Sequence, residues 1–180
     1  MLEHLFYKAM METSAERAAF LSRLFGRPGV KSAAKATPET LFRAYKLGYP
    51  VRAFFETNIN RVVEYLENQK VFKLSDEDKA GIRHVAEAFF KSGPDLSYSF
   101  IGGYGGFRRM PRYSDLMTES DGVSRNWNFL ATEDQFQAIQ RMQQRNLIVP
   151  LVGDFAGPKA IRSVAQYVQE HGNTARAFYT

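Results

Sequence analysis

The residues best suited to chemistry lie between positions 102 and 112. Gly102-Gly103-Tyr104-Gly105-Gly106-Phe107-Arg108-Arg109 interleaves two aromatic rings with glycines, and Arg112 follows. Aromatic rings stack on unpaired bases while guanidinium groups contact phosphates, so Tyr104, Phe107 and Arg108 suit a single-stranded nucleic acid or another anion. The same residues also suit a glycine loop packed onto its neighbours by its aromatics, which is the simpler reading; nucleic acid is permitted and not favoured. Trp127, the only tryptophan, is a further candidate substrate contact. His4, His84 and His171 have no zinc-ligand spacing, so no metal is expected. With no cysteine there is no disulfide and no thiolate. His84 and Glu87 share a helix face and read as a surface pair. There is no Walker A motif and no G-x-S-x-G elbow, and the glycines at 102–106 follow a helix and loop rather than a strand.

Periodicity says what must position these groups. Residues 1–92 read as helical. Leu2, Leu5, Phe6, Ala9 and Met10 form one apolar stripe, and Phe20, Leu21, Leu24 and Phe25 a second. Thr13-Ser14-Ala15-Glu16 fits a capping box between them. Gly26, Pro28 and Gly29 end the second helix, and 27–36 is an exposed basic loop. Thr37-Pro38 opens a short helix through Tyr45. A longer one spans 52–70, and Ser75 caps a third that Gly93-Pro94 closes. Residues 93–131 carry no clear periodicity beyond one helical turn at 113–117, and a segment of this length is usually functional, disordered or packed over a neighbour. Thr132 opens a helix through Arg145.

The next stretch changes character. Leu147 to Val152 is apolar and β-branched and reads as a buried strand, with Pro150 costing one ladder bond. Gly153 to Gly157 is a tight loop, and Pro158 opens a helix with Ile161, Val164, Ala165 and Val168 inward. Residues 174–180 read as a second strand. Strand, helix and strand imply a parallel right-handed crossover and hence an α/β fold. Two parallel strands do not make a stable sheet, so the chain is expected to be one domain or domain fragment of a larger α/β protein: helical at 1–92, loop-like at 93–131, and helix–strand–helix–strand at 132–180.

The stretch RNLIVPLVGDFAGPKAIRSVAQY at 145–167 resembles an uncharacterised bacterial family with a divergent class I methyltransferase-like, Rossmann architecture. EHLFYKAM at 3–10, ERAAFLSRLFGR at 16–27, AFFKSGPDLSYSF at 88–100 and MPRYSDLM at 110–117 agree with it. The resemblance implies an incomplete Rossmann-like sheet with a large helical insertion, and further strands ahead of Met1 and after Thr180. It makes 147–152 the third strand. Val152-Gly153-Asp154-Phe155 then resembles the motif whose acid accepts a hydrogen bond from the adenine amino group of S-adenosylmethionine, placing Gly153, Asp154 and Phe155 at the cofactor. Phe155 stands where a small residue is common. Asp154 has a second reading, as a loop acid capping the helix that follows. The 93–131 segment would be a substrate lid with Tyr104 or Trp127 as contact.

No catalytic residue is implied, and the chain alone is expected to be inactive. A non-catalytic scaffold and a nucleic-acid or anion-binding module are the alternatives. Exposed sheet edges would favour self-association.

Charge and composition exclude more than they assign. The net charge is +5, with nine basic and five acidic side chains in residues 1–60, nine and nine in 61–120, and six and five in 121–180. That modest excess permits an anionic partner without requiring one. No apolar run approaches the ~18 residues of a membrane span, and a cytoplasmic location is expected.

Overall fold

The computed structural model describes residues 2–29, 35–97, 110–123, 125–154 and 156–178. They form α1 (Leu2–Glu12), α2 (Arg17–Leu24), α3 (Pro38–Leu47), α4 (Arg52–Glu64), a π-turn (Tyr65–Gln69), α5 (Asp76–Ser92), a 3-10 turn (Gly93–Asp95), α6 (Tyr113–Thr118), α7 (Glu133–Gln144) and α8 (Ala160–Glu170). The chain divides into two compact units, Leu2–Ile148 and Val149–Thr180.

In the first unit α3, α5 and α7 begin where short polar side chains can satisfy free N–H groups. Ser75 and Asp78 form a reciprocal box: the Ser75 hydroxyl accepts from the Asp78 N–H at 3.1 Å, and the Asp78 carboxylate accepts from the Ser75 N–H at 3.0 Å. Thr37 and Thr132 accept from the N–H groups three residues on, at 3.3 and 3.2 Å. The cap expected at Thr13 does not form. Thr13 and Ser14 instead donate back to the Ala9 and Met10 carbonyls, each at 2.6 Å, and so close the end of α1. Helix α2 starts later, behind Glu16, with no side-chain cap.

α1 is the central helix, packing against α2, α4, α5 and α7. Its buried face carries Leu5, Phe6, Ala9, Met10 and Met11. Aromatic rings fill the space around it: Phe20 meets Phe136 at 5.7 Å between centroids, and Phe55 meets Phe90 at 4.7 Å. Offset and tilted pairs of this kind contribute about 0.5–1.5 kcal/mol beyond the area they bury.

Three arginines on or beside α2 solve a second problem. Helices joined by irregular connections leave carbonyls that no ladder satisfies, and a guanidinium offers five donors in a fixed fork. Buried Arg17 donates from Nη1 to the Leu130 and Ala131 carbonyls, both at 2.7 Å, and from Nη2 to the Ala36 carbonyl. Buried Arg27 donates to the Tyr45 carbonyl. Arg23 donates to the end of α1 and to Asn58 of α4. Each ties segments far apart in sequence.

The α/β, Rossmann-like sheet expected from the sequence is corrected here. Among the described residues there is no sheet, only one isolated antiparallel bridge between Ser97 and Arg112. Residues 147–152 and 174–178 are not strands. A strand exists only by pairing with another, and neither segment has a ladder partner. Leu147, Val149, Leu151 and Val152 are instead exposed. With no sheet among the described residues, there is no sheet edge there to carry the expected self-association. In the second unit, α8 is amphipathic and has no buried residue; Ile161, Val164 and Tyr167 are all exposed. No helix among the described residues is long and apolar enough to cross a membrane.

Two glycines separate backbone conformation from packing. Gly26 and Gly29 both have positive φ, +62° and +76°. A Cβ on Gly26 would stand 2.5 Å from Phe90 Cδ2, whereas one on Gly29 would meet nothing within 4 Å. Gly29→Ala should therefore cost about 1 kcal/mol for the left-handed backbone alone. Gly26→Ala should cost about 3 kcal/mol, because overpacking adds to that term. Chemical denaturation of the two variants checks this; equal losses would show that Phe90 moves aside freely.

Candidate functional site

Of the residues singled out from the sequence, Trp127, Gly153 and Asp154 are described. Tyr104, Phe107, Arg108 and Phe155 lie outside the described residues. Trp127 is 61% exposed, but its polar handle and one face are taken: the indole N–H donates to Asp121 at 2.9 Å and the Arg125 guanidinium lies 3.7 Å from the ring centroid. Gly153 and Asp154 stand in an exposed turn, not at the end of a strand. Asp154 accepts from the Ala156 N–H on its carboxylate at 2.9 Å and from the Gly157 N–H on its carbonyl at 3.0 Å. It thus closes its own turn, and α8 begins only at Ala160, with Lys159 before it. A Cβ on Gly153 would lie 2.7 Å from that of Ala160, so glycine is needed for close approach to the helix. The placement that made these residues adenine contacts, at the carboxyl end of a parallel strand, is absent.

A different set does come together. A cavity of about 390 Å³ opens between the end of α1, α2, α4 and the π-turn, lined by Thr13, Arg23, Arg61, Glu64, Tyr65, Asn68 and Gln69. Its size falls in the range of small-molecule pockets. Arg61, Glu64, Tyr65 and Asn68 follow the i, i+3, i+4, i+7 pattern of one helix face.

Arg23 is the half-buried member. Its Nε donates to Asn58 Oδ1 at 3.1 Å, and its Nη1 to the Thr13 carbonyl at 2.9 Å, the Thr13 hydroxyl at 2.7 Å and the Ser14 hydroxyl at 3.1 Å. All these acceptors are neutral. Nη2 makes no hydrogen bond among the described residues, and no carboxylate pairs with the group. Burial, and then the positive charge of Arg61, push the Arg23 pKa down to about 10. The guanidinium is still cationic at neutral pH, with its charge fixed and uncompensated. Arg61 is exposed and also lacks an ion pair among the described residues. Glu64 is the one acid in the lining, so two cations face one anion.

Directly behind the cavity wall lies a buried carboxylate. The Glu12 side chain is fully buried and accepts from three donors: Lys8 at 2.7 Å, Lys70 at 2.9 Å and the Tyr65 hydroxyl. Lys8 also donates to the Gln143 carbonyl at the end of α7. Burial raises the Glu12 pKa, but the hydrogen bonds from Lys8, Tyr65 and Lys70 outweigh it and hold the carboxyl below its ordinary value. Burial and the bond to Glu12 push the Tyr65 phenol upward.

Sequence reasoning missed these groups. The available signals were the Lys8–Glu12 pair, four residues apart on an otherwise buried helix, and the polar stripe 61, 64, 65, 68. Among the described residues no group of three or more His, Cys, Asp or Glu side chains is placed to hold a metal. No protein-family model, curated protein or solved structure matches this chain.

The buried carboxylate sets an acid limit on stability. Because the folded Glu12 pKa lies below the ordinary 4.5, the unfolded chain takes up the proton first as acid is added. The contribution of Glu12 is complete above 4.5 and is lost as pH falls through the folded pKa. The melting-temperature gap between wild type and Glu12→Gln should therefore be widest near neutrality and close below pH 4.5. A gap that does not change with pH would mean Glu12 is not ionised in the folded protein.

Proposed function

We propose that the helical unit Leu2–Ile148 is a binding module for a small organic phosphate, held in the cavity between Arg23 and Arg61. The observation that carries this reading is the Arg23 guanidinium: half-buried, saturated on Nε and Nη1 by neutral acceptors, and left with Nη2 and a full uncompensated charge. A fixed cation of this kind stabilises an anion more than a flexible surface one does, because its orientation and desolvation are already met in the folded chain. The nearby Arg61 adds a second fork, which favours a doubly charged oxyanion over a single charge. Thr13, Asn68 and Gln69 supply hydroxyl and amide groups for the rest of the ligand. The cavity exceeds what a bare phosphate fills.

The S-adenosylmethionine reading has lost its support in geometry, since the strand end that would have presented Asp154 is not there. A charge-assisted hydrogen bond contributes about 1.5–3 kcal/mol, so each guanidinium is worth about tenfold or more in affinity. The Arg61 side chain has no hydrogen-bond or ion-pair partner among the described residues, which makes its removal clean.

Calorimetry at low salt with inorganic phosphate and a simple phosphate monoester provides the test. Wild type should bind the monoester in the millimolar range or tighter, Arg61→Gln should bind about tenfold more weakly, and Glu64→Gln should bind a few-fold more tightly as the opposing acid is removed. Absence of binding by wild type at millimolar ligand, or an Arg61→Gln variant that binds equally well, would overturn the proposal.

A further inference from the structure

The helix that carries Arg61 and Glu64 does not end as an α-helix. Tyr65–Gln69 is a π-turn, in which the Lys70 N–H bonds to the Tyr65 carbonyl at 3.2 Å, and the helix end is then closed by a six-residue bond from the Phe72 N–H to the Leu66 carbonyl at 3.0 Å. Just beyond it Val71 has φ 57°, a left-handed conformation that a β-branched residue adopts only under constraint. In a regular α-helix, eight residues turn Gln69 about 80° away from Arg61. The wider turn rotates less per residue, so Gln69 swings back and lines the same cavity as Arg61. Turns of this type are rare and are frequently found at functional sites.

Something must hold the turn open. Both of its ends reach one buried group: Tyr65, its first residue, donates to Glu12 Oε2, and Lys70, which follows its last, pairs with the same oxygen at 2.9 Å. The Lys70 ammonium also lies 5.6 Å from the Tyr65 ring centroid. The other carboxylate oxygen is anchored by Lys8 of the central helix, at 2.7 Å. Glu12 itself does not line the cavity, yet the three residues that the turn contributes to the lining, Tyr65, Asn68 and Gln69, depend on where its ends are fixed.

We propose that Glu12 is a positioning residue of the anion site, clamping both ends of the π-turn and so setting where Tyr65, Asn68 and Gln69 stand around the ligand. This inference rests on the phosphate-binding reading above and names the residue that organises that site. It also makes a prediction with an unusual sign. Removing a negative charge beside an anion site should, by charge alone, tighten binding. If Glu12 acts by clamping the turn, removing its charge weakens binding instead.

The test uses the full chain and two variants, Glu12→Gln and Lys70→Met, with calorimetric affinity for the simple phosphate monoester and amide hydrogen exchange read on each. Glu12→Gln should bind about tenfold more weakly, with protection lost at the Lys70 and Phe72 amides while α5 amides keep theirs. Lys70→Met leaves the buried carboxylate its Lys8 partner, so it carries the test where Glu12→Gln fails to fold. It should show the same local loss of protection, which removal of a distant charge would not produce. Equal or tighter binding by Glu12→Gln, or unchanged exchange at the Phe72 amide in Lys70→Met, would overturn the clamp. A wild type that binds no phosphate monoester would defeat the site proposal instead, and the exchange data would still decide whether Glu12 holds the turn.

Discussion

A carboxylate withdrawn completely from water must be met by donors on every side, and the first unit is organised around meeting that demand at Glu12. An unpaired ion there would cost several kcal/mol, so Lys8, Tyr65 and Lys70 cannot drift away independently. Lys8 belongs to the central helix and also reaches the Gln143 carbonyl of α7. Tyr65 and Lys70 bracket the π-turn. One buried charge thereby fixes α1, the end of α4 and the end of α7 against one another. The apolar face of α1 gives most of the burial, and Glu12 gives the register in which that burial occurs.

The buried arginines extend the same logic. A sheet would have satisfied the backbone of the connecting segments; a helical unit must find other donors for their carbonyls. Arg17 and Arg27 supply them: Arg17 spans the Leu130, Ala131 and Ala36 carbonyls, and Arg27 holds the Tyr45 carbonyl and packs on Gly93, where a Cβ would stand 2.7 Å from its Cζ, with its buried Nε left without a partner among the described residues. Arg23 begins in the same way, holding the end of α1 to α4, but it retains an unused edge toward a cavity. The difference between a structural guanidinium and one able to take a ligand is thus local. It depends on whether the donors left over stand at a cavity, as those of Arg23 do, or against packed side chains, as the Nε of Arg27 does.

Much of the helical unit was legible in the chain. Thr37, Ser75 and Thr132 announce helix starts because a short side chain next to free N–H groups is a local matter, decided within four residues. The apolar stripes of α1, α2, α4 and α5 are likewise local. The errors came where structure depends on partners distant in sequence. Leu147 to Val152 has the composition of a strand, and nothing within it reveals that no second strand stands beside it. A strand there would stand Asp154 at a strand end, whereas Asp154 only closes a turn with Ala156 and Gly157. The π-turn was invisible for a related reason: the 52–70 pattern is helical throughout, and the widening at Tyr65 is imposed by Glu12, more than fifty positions earlier. Glu12 drew no reading from the sequence, and its burial is what distinguishes it.

The central claim is that the cavity beside Arg23 and Arg61 takes an oxyanion. Anomalous diffraction from crystals of the chain soaked in selenate tests it most directly, since selenium marks a sulfate-like ion by position instead of by affinity. A selenium peak within hydrogen-bonding distance of Arg23 Nη2 and of the Arg61 guanidinium is the predicted result. Selenate found only at other cationic positions, with this cavity empty, would contradict it.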